Sequence, residues 1–308
     1  MRGLRKDFFD ALKVGMLKPL LEYVKNDNTL DLEIRENYVN IYYRGGNILD
    51  VKIKKGLFSF HFKDKYLANH PFLLYGTIEK QYKSMNWNEY FPVAKQAMDY
   101  YFTKIAKQER EFQQLVVREN NNSKIANGTD YFIIDIEYDN HSKARFDIIA
   151  VEWPTKSRKL SKNNLPPKLV IFEMKYGDKA FKNFAGIQKH INDFKTFQSK
   201  SNEVIALKNE MLVVFQQKRD LGLIPCLSGI GKTNAHSVKI FTNDIELIFL
   251  FVNHDPESTI LKDELSYIHD QGIKFITANF LGYGLYLENV FTYKKFIHRF
   301  KQQISNAH

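Results

Sequence analysis

The sequence predicts an α/β (α+β) architecture. A small N-terminal domain, made of an antiparallel β-meander and a helix, precedes a mixed sheet flanked by helices. Three observations lead there. Between Leu30 and Phe62, apolar and polar residues alternate, with turn signals between the runs. From Trp87 to about Arg118 the apolar spacing is helical. Three further apolar runs then precede a long helical stretch and another apolar run, the order expected of a mixed sheet and its covering helices.

The elements follow in order. A helical segment runs to about Asn26, because Phe8, Leu12, Val14, Leu17, Leu20, Leu21 and Val24 recur at helical spacing. Leu30, Leu32 and Ile34 then alternate with Asp31, Glu33 and Arg35, and Val39, Ile41 and Tyr43 continue at period two. Gly45-Gly46-Asn47 is a turn. Leu49, Val51 and Ile53, then Phe58, Phe60 and Phe62, complete about four strands. Met98, Phe102, Ile105, Phe112 and Val116 form one stripe of a helix over 87–118, ended by Asn120, Asn121 and Asn122. Strands are expected at 131–138, 145–153 and 168–175, and a helical stretch at 180–220 broken near Ser201-Asn202. A strand through Ile245–Val252, a helix near Ser258–Ile268 and a strand near 273–277 close the chain. The expected domains are 1–88, for recognition or assembly, and 89–308.

With 308 residues, the chain can bury its cores without disulfides or metal staples. A composition of 44% hydrophobic and 26% charged residues excludes disorder and collagen-like repeats. The 25 Phe and 17 Tyr predict aromatic-rich cores. The single cysteine, Cys226, excludes an intramolecular disulfide and a zinc site built on several cysteines. A formal charge of +10 suits a polyanion such as nucleic acid. Charged residues Arg2, Arg5, Lys6 and Asp7 stand where a signal peptide needs an apolar stretch. The longest apolar run, Ile245–Val252, is interrupted by Glu246 and is too short to span a membrane. A cytoplasmic protein with no membrane partner is therefore expected.

The second and third strands of the large sheet carry the chemistry. They read Arg145-Phe146-Asp147-Ile148-Ile149-Ala150-Val151 and Leu169-Val170-Ile171-Phe172-Glu173-Met174-Lys175. Glu173 and Lys175, two residues apart, share a face and stand where apolar residues would continue the buried pattern. Asp147 starts one strand and Glu173 ends the other, so antiparallel pairing brings both to one end of the sheet. Two carboxylates supply the oxygen ligands that Mg²⁺ or Mn²⁺ takes. A metal there would hold a phosphate and lower the pKa of an attacking water. Lys175 would orient that water or stabilise charge building on phosphorus. On the preceding helix, Ile105, Glu109, Phe112 and Val116 step by four, three and four residues. That places Glu109 on the apolar stripe, as a third ligand or water-orienting group, with Glu111 in reserve. On the helix after strand three, Gln188 falls among Phe184, Ile187 and Ile191.

The arrangement resembles the PD-(D/E)xK nuclease superfamily, the restriction-endonuclease-like fold. The matching pieces are Asp147, 25 intervening residues, and Glu173-Met174-Lys175, with the Glu109 helix before them and the Gln188 helix after. The likeness covers about 95–255. It implies that Asp147 and Glu173 bind the metal, that Lys175 assists the attacking water and that Gln188 supports the site. DNA is then the expected substrate, cut with Mg²⁺ or Mn²⁺. A homodimer also fits, since many duplex cutters of this fold pair two active sites. Phe146 stands where the motif's name has proline, and Asn192 where a tyrosine often follows the glutamine by four residues.

Other residues carry weaker signals. Lys143 and Arg145 are placed to bind phosphates beside the scissile bond. Lys156, Arg158, Lys159 and Lys162 form a basic patch at the opposite end of the hairpin. Ser228-Gly229-Ile230-Gly231-Lys232-Thr233 resembles a phosphate-binding loop, but Cys226 stands where that pattern needs glycine. Asp135 and Glu137 read as supporting acids or exposed strand charges. His141 and His190 read as surface histidines. Tyr38, Tyr42 and Tyr43 read as core or cross-strand aromatics rather than base-stacking groups.

Overall fold

A computed structural model describes residues 1–68, 75–122, 128–139, 145–153, 166–181, 186–225, 238–255, 259–266, 268, 272–279 and 281–298. Lys143, His141, Cys226, the basic patch at 156–162 and the 228–233 loop lie outside the described residues. The fold is mixed α+β, with one four-stranded and one six-stranded sheet. No helix among the described residues is long and apolar enough to cross a membrane.

The chain divides into two units, Met1–Arg118 with Val213–Ser228, and Glu119–Leu212 with Gly229–His308. The division therefore falls at 118/119 rather than at 88/89, because the helices over 87–117 belong to the first unit. That unit opens with α1 (Lys6–Lys13) and α2 (Lys18–Asn26) in place of one continuous helix. The break follows from Pro19. Proline lacks an N–H and cannot sit inside a helix, but it suits the first turn, where it starts α2. The meander is as expected: β1 (Leu30–Ile34), β2 (Tyr38–Tyr43), β3 (Gly46–Lys54) and β4 (Leu57–His61) pair antiparallel in chain order. Behind them come α3 (Tyr75–Lys83), α4 (Trp87–Lys104) and α5 (Gln108–Val117).

The expected single helix over 87–118 is thus broken at 105–107. Tertiary bonding accounts for the position of its second half. The Gln114 side chain accepts from Gly45 N–H at 2.8 Å and donates to the carbonyls of Thr29 at 2.9 Å and Tyr42 at 3.1 Å. Gly45 has a φ of +68°, and a Cβ there would collide with the Arg110 main chain, so glycine is required. The core of this unit is aromatic-rich, with Phe8, Tyr66, Tyr90 and Phe91 fully buried. Each such side chain contributes on the order of 1.5–3 kcal/mol by burial. Tyr42 and Tyr43 are bonded within the unit, to Arg35 and Asp99 respectively, and Tyr38 lies under Lys52.

The second unit is built on a six-stranded sheet in the order β10-β9-β8-β7-β6-β5. β5 (Tyr131–Asp139), β6 (Arg145–Glu152) and β7 (Lys168–Tyr176) are antiparallel neighbours. β7, β8 (Ile245–Val252) and β9 (Lys274–Ala278) run parallel, with β10 (Phe291–Thr292) antiparallel at the edge. Parallel strands need a crossover. α6 (Ile187–Gln198) and α7 (Ser201–Asp220) supply it between β7 and β8, and α8 (Thr259–Ser266) between β8 and β9. Consistent with parallel strands covered on both faces, seven of the eight β8 residues are buried, all but Glu246.

The asparagine run does more than stop a helix. Residues Arg118–Asn122 form a wide helical turn with Asn120 and Asn121 buried. The Asn121 amide both donates to Ile133 C=O at 2.8 Å and accepts from Ile133 N–H at 2.9 Å. It thereby satisfies main chain beside the bulge at Ile133/Asp135, where β5 slips relative to β6. Asn120 does the same for Tyr283 C=O and Leu285 N–H, each at 2.9 Å.

Candidate active site

The site lies where β6 leaves β7. Their ladder ends at Ile148↔Phe172, while β6 stays paired with β5 as far as Asp139↔Arg145. The next residues in register across the gap are Asp147 and Glu173. Asp147 Oδ2 accepts from Met174 N–H at 2.9 Å, so the carboxylate takes a main-chain donor that the ending ladder releases. Asp147 is half-buried and is thereby fixed beside the Glu173-Met174-Lys175 segment.

Glu173 and Lys175 are each only 4% exposed. Lys175 Nζ donates to Glu173 Oε1 at 2.9 Å. A buried pair of this kind is tolerated only if the remaining donors and acceptors are satisfied. His190, on the first turns of α6, provides that. Its Nδ1 lies 2.8 Å from Glu173 Oε1 and its Nε2 lies 3.0 Å from Lys175 Nζ. The pattern assigns the tautomer: Nδ1–H donates to the carboxylate, and Nε2 accepts from the ammonium. Burial pushes the Glu173 carboxyl up, but the His190 hydrogen bond and the Lys175 charge outweigh it, so the group is held below the usual range.

Asp147, Glu173 and Lys175, all in the second unit, are therefore brought together, whereas Gln188 of the same unit bonds along its own helix. Glu109 is exposed and sits in the first turn of α5. The apolar stripe that placed it inward assumed an unbroken helix, and Ile105, its partner in that stripe, is itself 50% exposed outside both helices. The reserve residue, Glu111, is bound by Arg44, whose Nε lies 2.9 Å from Glu111 Oε1. Gln188 is half-buried, and its amide donates to Asn192 Oδ1 at 3.0 Å, one turn along α6. Arg145 starts β6 near the site, with its side chain 81% exposed and its Nε 3.1 Å from Asp139 Oδ2.

His190, expected at the surface, was the residue missed. Its signal in the sequence was its place two residues after Gln188, at a helix start following the strand that bears Glu173 and Lys175. On β5, Asp135 is fully buried at the bulge. Glu137, with a φ of +52°, falls opposite Asp147 in the register between Ile136↔Ile148 and Tyr138↔Phe146.

The oxygens of Asp147 and Glu173 are of the kind Mg²⁺ prefers, and that ion commonly uses one or two carboxylates plus waters and substrate phosphate. Among the described residues, no group of three or more His, Cys, Asp or Glu side chains is arranged to hold a metal ion. Comparison with family profiles, with curated proteins and with solved structures gave no match.

Proposed function

We propose that the protein is a metal-dependent nuclease of the PD-(D/E)xK kind, hydrolysing phosphodiester bonds of nucleic acid, with DNA the substrate by that resemblance. The observation that carries the reading is the seating of Asp147 on Met174 N–H, beside the buried Glu173–Lys175 pair. Three antiparallel strands followed by a parallel crossover are compatible with a restriction-endonuclease-like sheet. Asp147 and Glu173 would hold Mg²⁺ or Mn²⁺, which supplies a polarised water and charge neutralisation when bound. Lys175, held on one side by Glu173 and His190, directs a cation at the charge that develops during attack. Burial of the pair keeps bulk water away and strengthens each of these interactions.

Incubation with Mg²⁺ or Mn²⁺ on supercoiled plasmid, linear duplex and single strands tests this. Cleavage by the native protein and its loss in Glu173→Ala are expected. Equal cleavage by both proteins would refute the assignment. One observation favours a second reading, a nucleic-acid-binding module without catalysis: Glu173 Oε1 is already engaged by Lys175 Nζ and His190 Nδ1, leaving less of it for a metal. It predicts salt-dependent binding with no metal-dependent cleavage. Calorimetry with Mn²⁺ separates the two, since only the enzyme needs a site that Asp147→Asn abolishes.

A further inference from the structure

The positive charge of the chain is unevenly placed. Of its 45 Lys and Arg and 35 Asp and Glu, the first unit has 22 and 15, so it carries +7 of the net +10. Part of that excess is concentrated at one corner. The short helical turn Asp64–Tyr66 packs on the end of α4, where the Tyr66 ring meets Tyr101 at 5.1 Å and Phe102 at 5.9 Å. Lys63 precedes that turn and Lys65 lies within it, its Nζ 5.0 Å over the Tyr66 ring. The Arg110 main chain packs against Gly45 and the adjoining Gly46 against the Tyr66 hydroxyl and the Phe102 ring, so the start of α5, with Lys107 and Arg110, lies at the same corner; Lys104 closes α4, its Nζ 2.9 Å from Tyr100 Oη.

Partial burial lowers the Lys65 ammonium from its ordinary value, and the charges of Lys107, Lys63 and Arg110 act in the same direction. The corner thus concentrates positive charge, the kind of field that attracts a polyanion. The N-terminus of α5, at Gln108, adds the positive end of a helix dipole. Asp64 and Glu109 are the carboxylates within these two segments, against five cations.

We propose that Lys63, Lys65, Lys107 and Arg110 form the backbone-binding surface for duplex nucleic acid, gripping phosphates without reading sequence. The identity of the polyanion rests on the nuclease reading above. The chemistry fits phosphate, because separate Lys and Arg heads match regularly spaced single charges and aromatic neighbours limit their solvation.

The test uses the full chain bearing Asp147→Asn, so that binding is read without cleavage, and a 20-base-pair DNA duplex of mixed sequence as probe. Fluorescence anisotropy across salt concentrations gives the slope of log affinity against log salt. Replacing all four residues by Gln is expected to flatten that slope by roughly 3 to 4 and to weaken binding at 0.1 M salt by roughly 100-fold or more. A control with Lys6, Lys13, Lys18 and Lys25 replaced by Gln removes the same charge from exposed positions of the same unit. An unchanged slope in the first variant, an equal loss in the control, or no duplex binding by the parent even at low salt would each overturn the surface. If the protein with native Asp147 cuts no substrate yet this surface binds duplex as described, the nuclease reading fails and the surface stands.

Discussion

Replacing His190 by alanine separates the site seen in the structure from the one its glutamine neighbour suggested. The imidazole makes two hydrogen bonds, at 2.8 Å to Glu173 Oε1 and at 3.0 Å to Lys175 Nζ. Bonds to charged groups are worth about 1.5–3 kcal/mol each. The His190 side chain is 22% exposed, so water refills part of the space, and the direct Lys175–Glu173 bond at 2.9 Å survives. A net loss of about 2–3 kcal/mol in transition-state stabilisation follows, which is roughly 30–150-fold in kcat/KM. The assay is plasmid cleavage with Mn²⁺, compared with Gln188→Ala and Glu109→Ala. Gln188 bonds Asn192 and Glu109 is exposed, so both are expected within about threefold of the native protein, a change of under ~0.7 kcal/mol. A larger loss in Gln188→Ala than in His190→Ala would refute the placement of His190 as the helix residue that holds the pair.

Lys175→Ala is expected to abolish turnover while largely sparing duplex affinity, since backbone contacts elsewhere dominate binding; cleavage and anisotropy read the two effects. Lys218 in α7 is 1% exposed, and its Nζ lies 2.6 Å from the fully buried Glu33 Oε1, with Arg35 at 3.7 Å from the other oxygen. Lys218→Ala should therefore destabilise by about 3–5 kcal/mol, seen as a lower urea midpoint, because it leaves a buried charge short of its partner. Glu173 has a folded pKa below its unfolded value of about 4.3. Its contribution is therefore present above that value and lost as pH falls through the folded pKa. Urea unfolding at pH 7 and pH 3 should show a stability gap between native and Glu173→Gln protein that shrinks at the lower pH.

Much of the fold was legible because period-two alternation and apolar runs survive in any context. The meander from Leu30 to His61 and the strand Ile245–Val252 lie where the pattern put them. The junctions were not legible. Residues 105–107 contain no proline or glycine, and only the bonds of Gln114 to distant main chain show that α5 is held apart from α4. That break also undid the apolar stripe on which Glu109 was placed. Asp147, Glu173 and Lys175 could be read because strand parity and antiparallel register are local rules. His190 could not, since helical spacing from Ile187 and Ile191 gives no sign that a half-exposed side chain turns toward a strand end. Its role depends on where α6 is docked, which no sequence period encodes.

The ties made by Asn120 and by Lys218 have a consequence for the order in which the chain can become folded during synthesis. Glu33 waits for Lys218, 185 residues later, and Leu4 waits for Gln217, 213 residues later. Three of the second unit's six strands are therefore made before Lys218 can reach the Glu33 carboxylate. The second unit waits in turn, because the Asn120 amide bonds Tyr283 and Leu285, more than 160 residues downstream. Neither unit can close as a contiguous length of chain leaving the ribosome, and contacts of such long range slow folding. A fragment ending at Arg118 would strand the Glu33 carboxylate, and one ending before Tyr283 would strand an asparagine amide, so both are expected to misfold where the full chain does not.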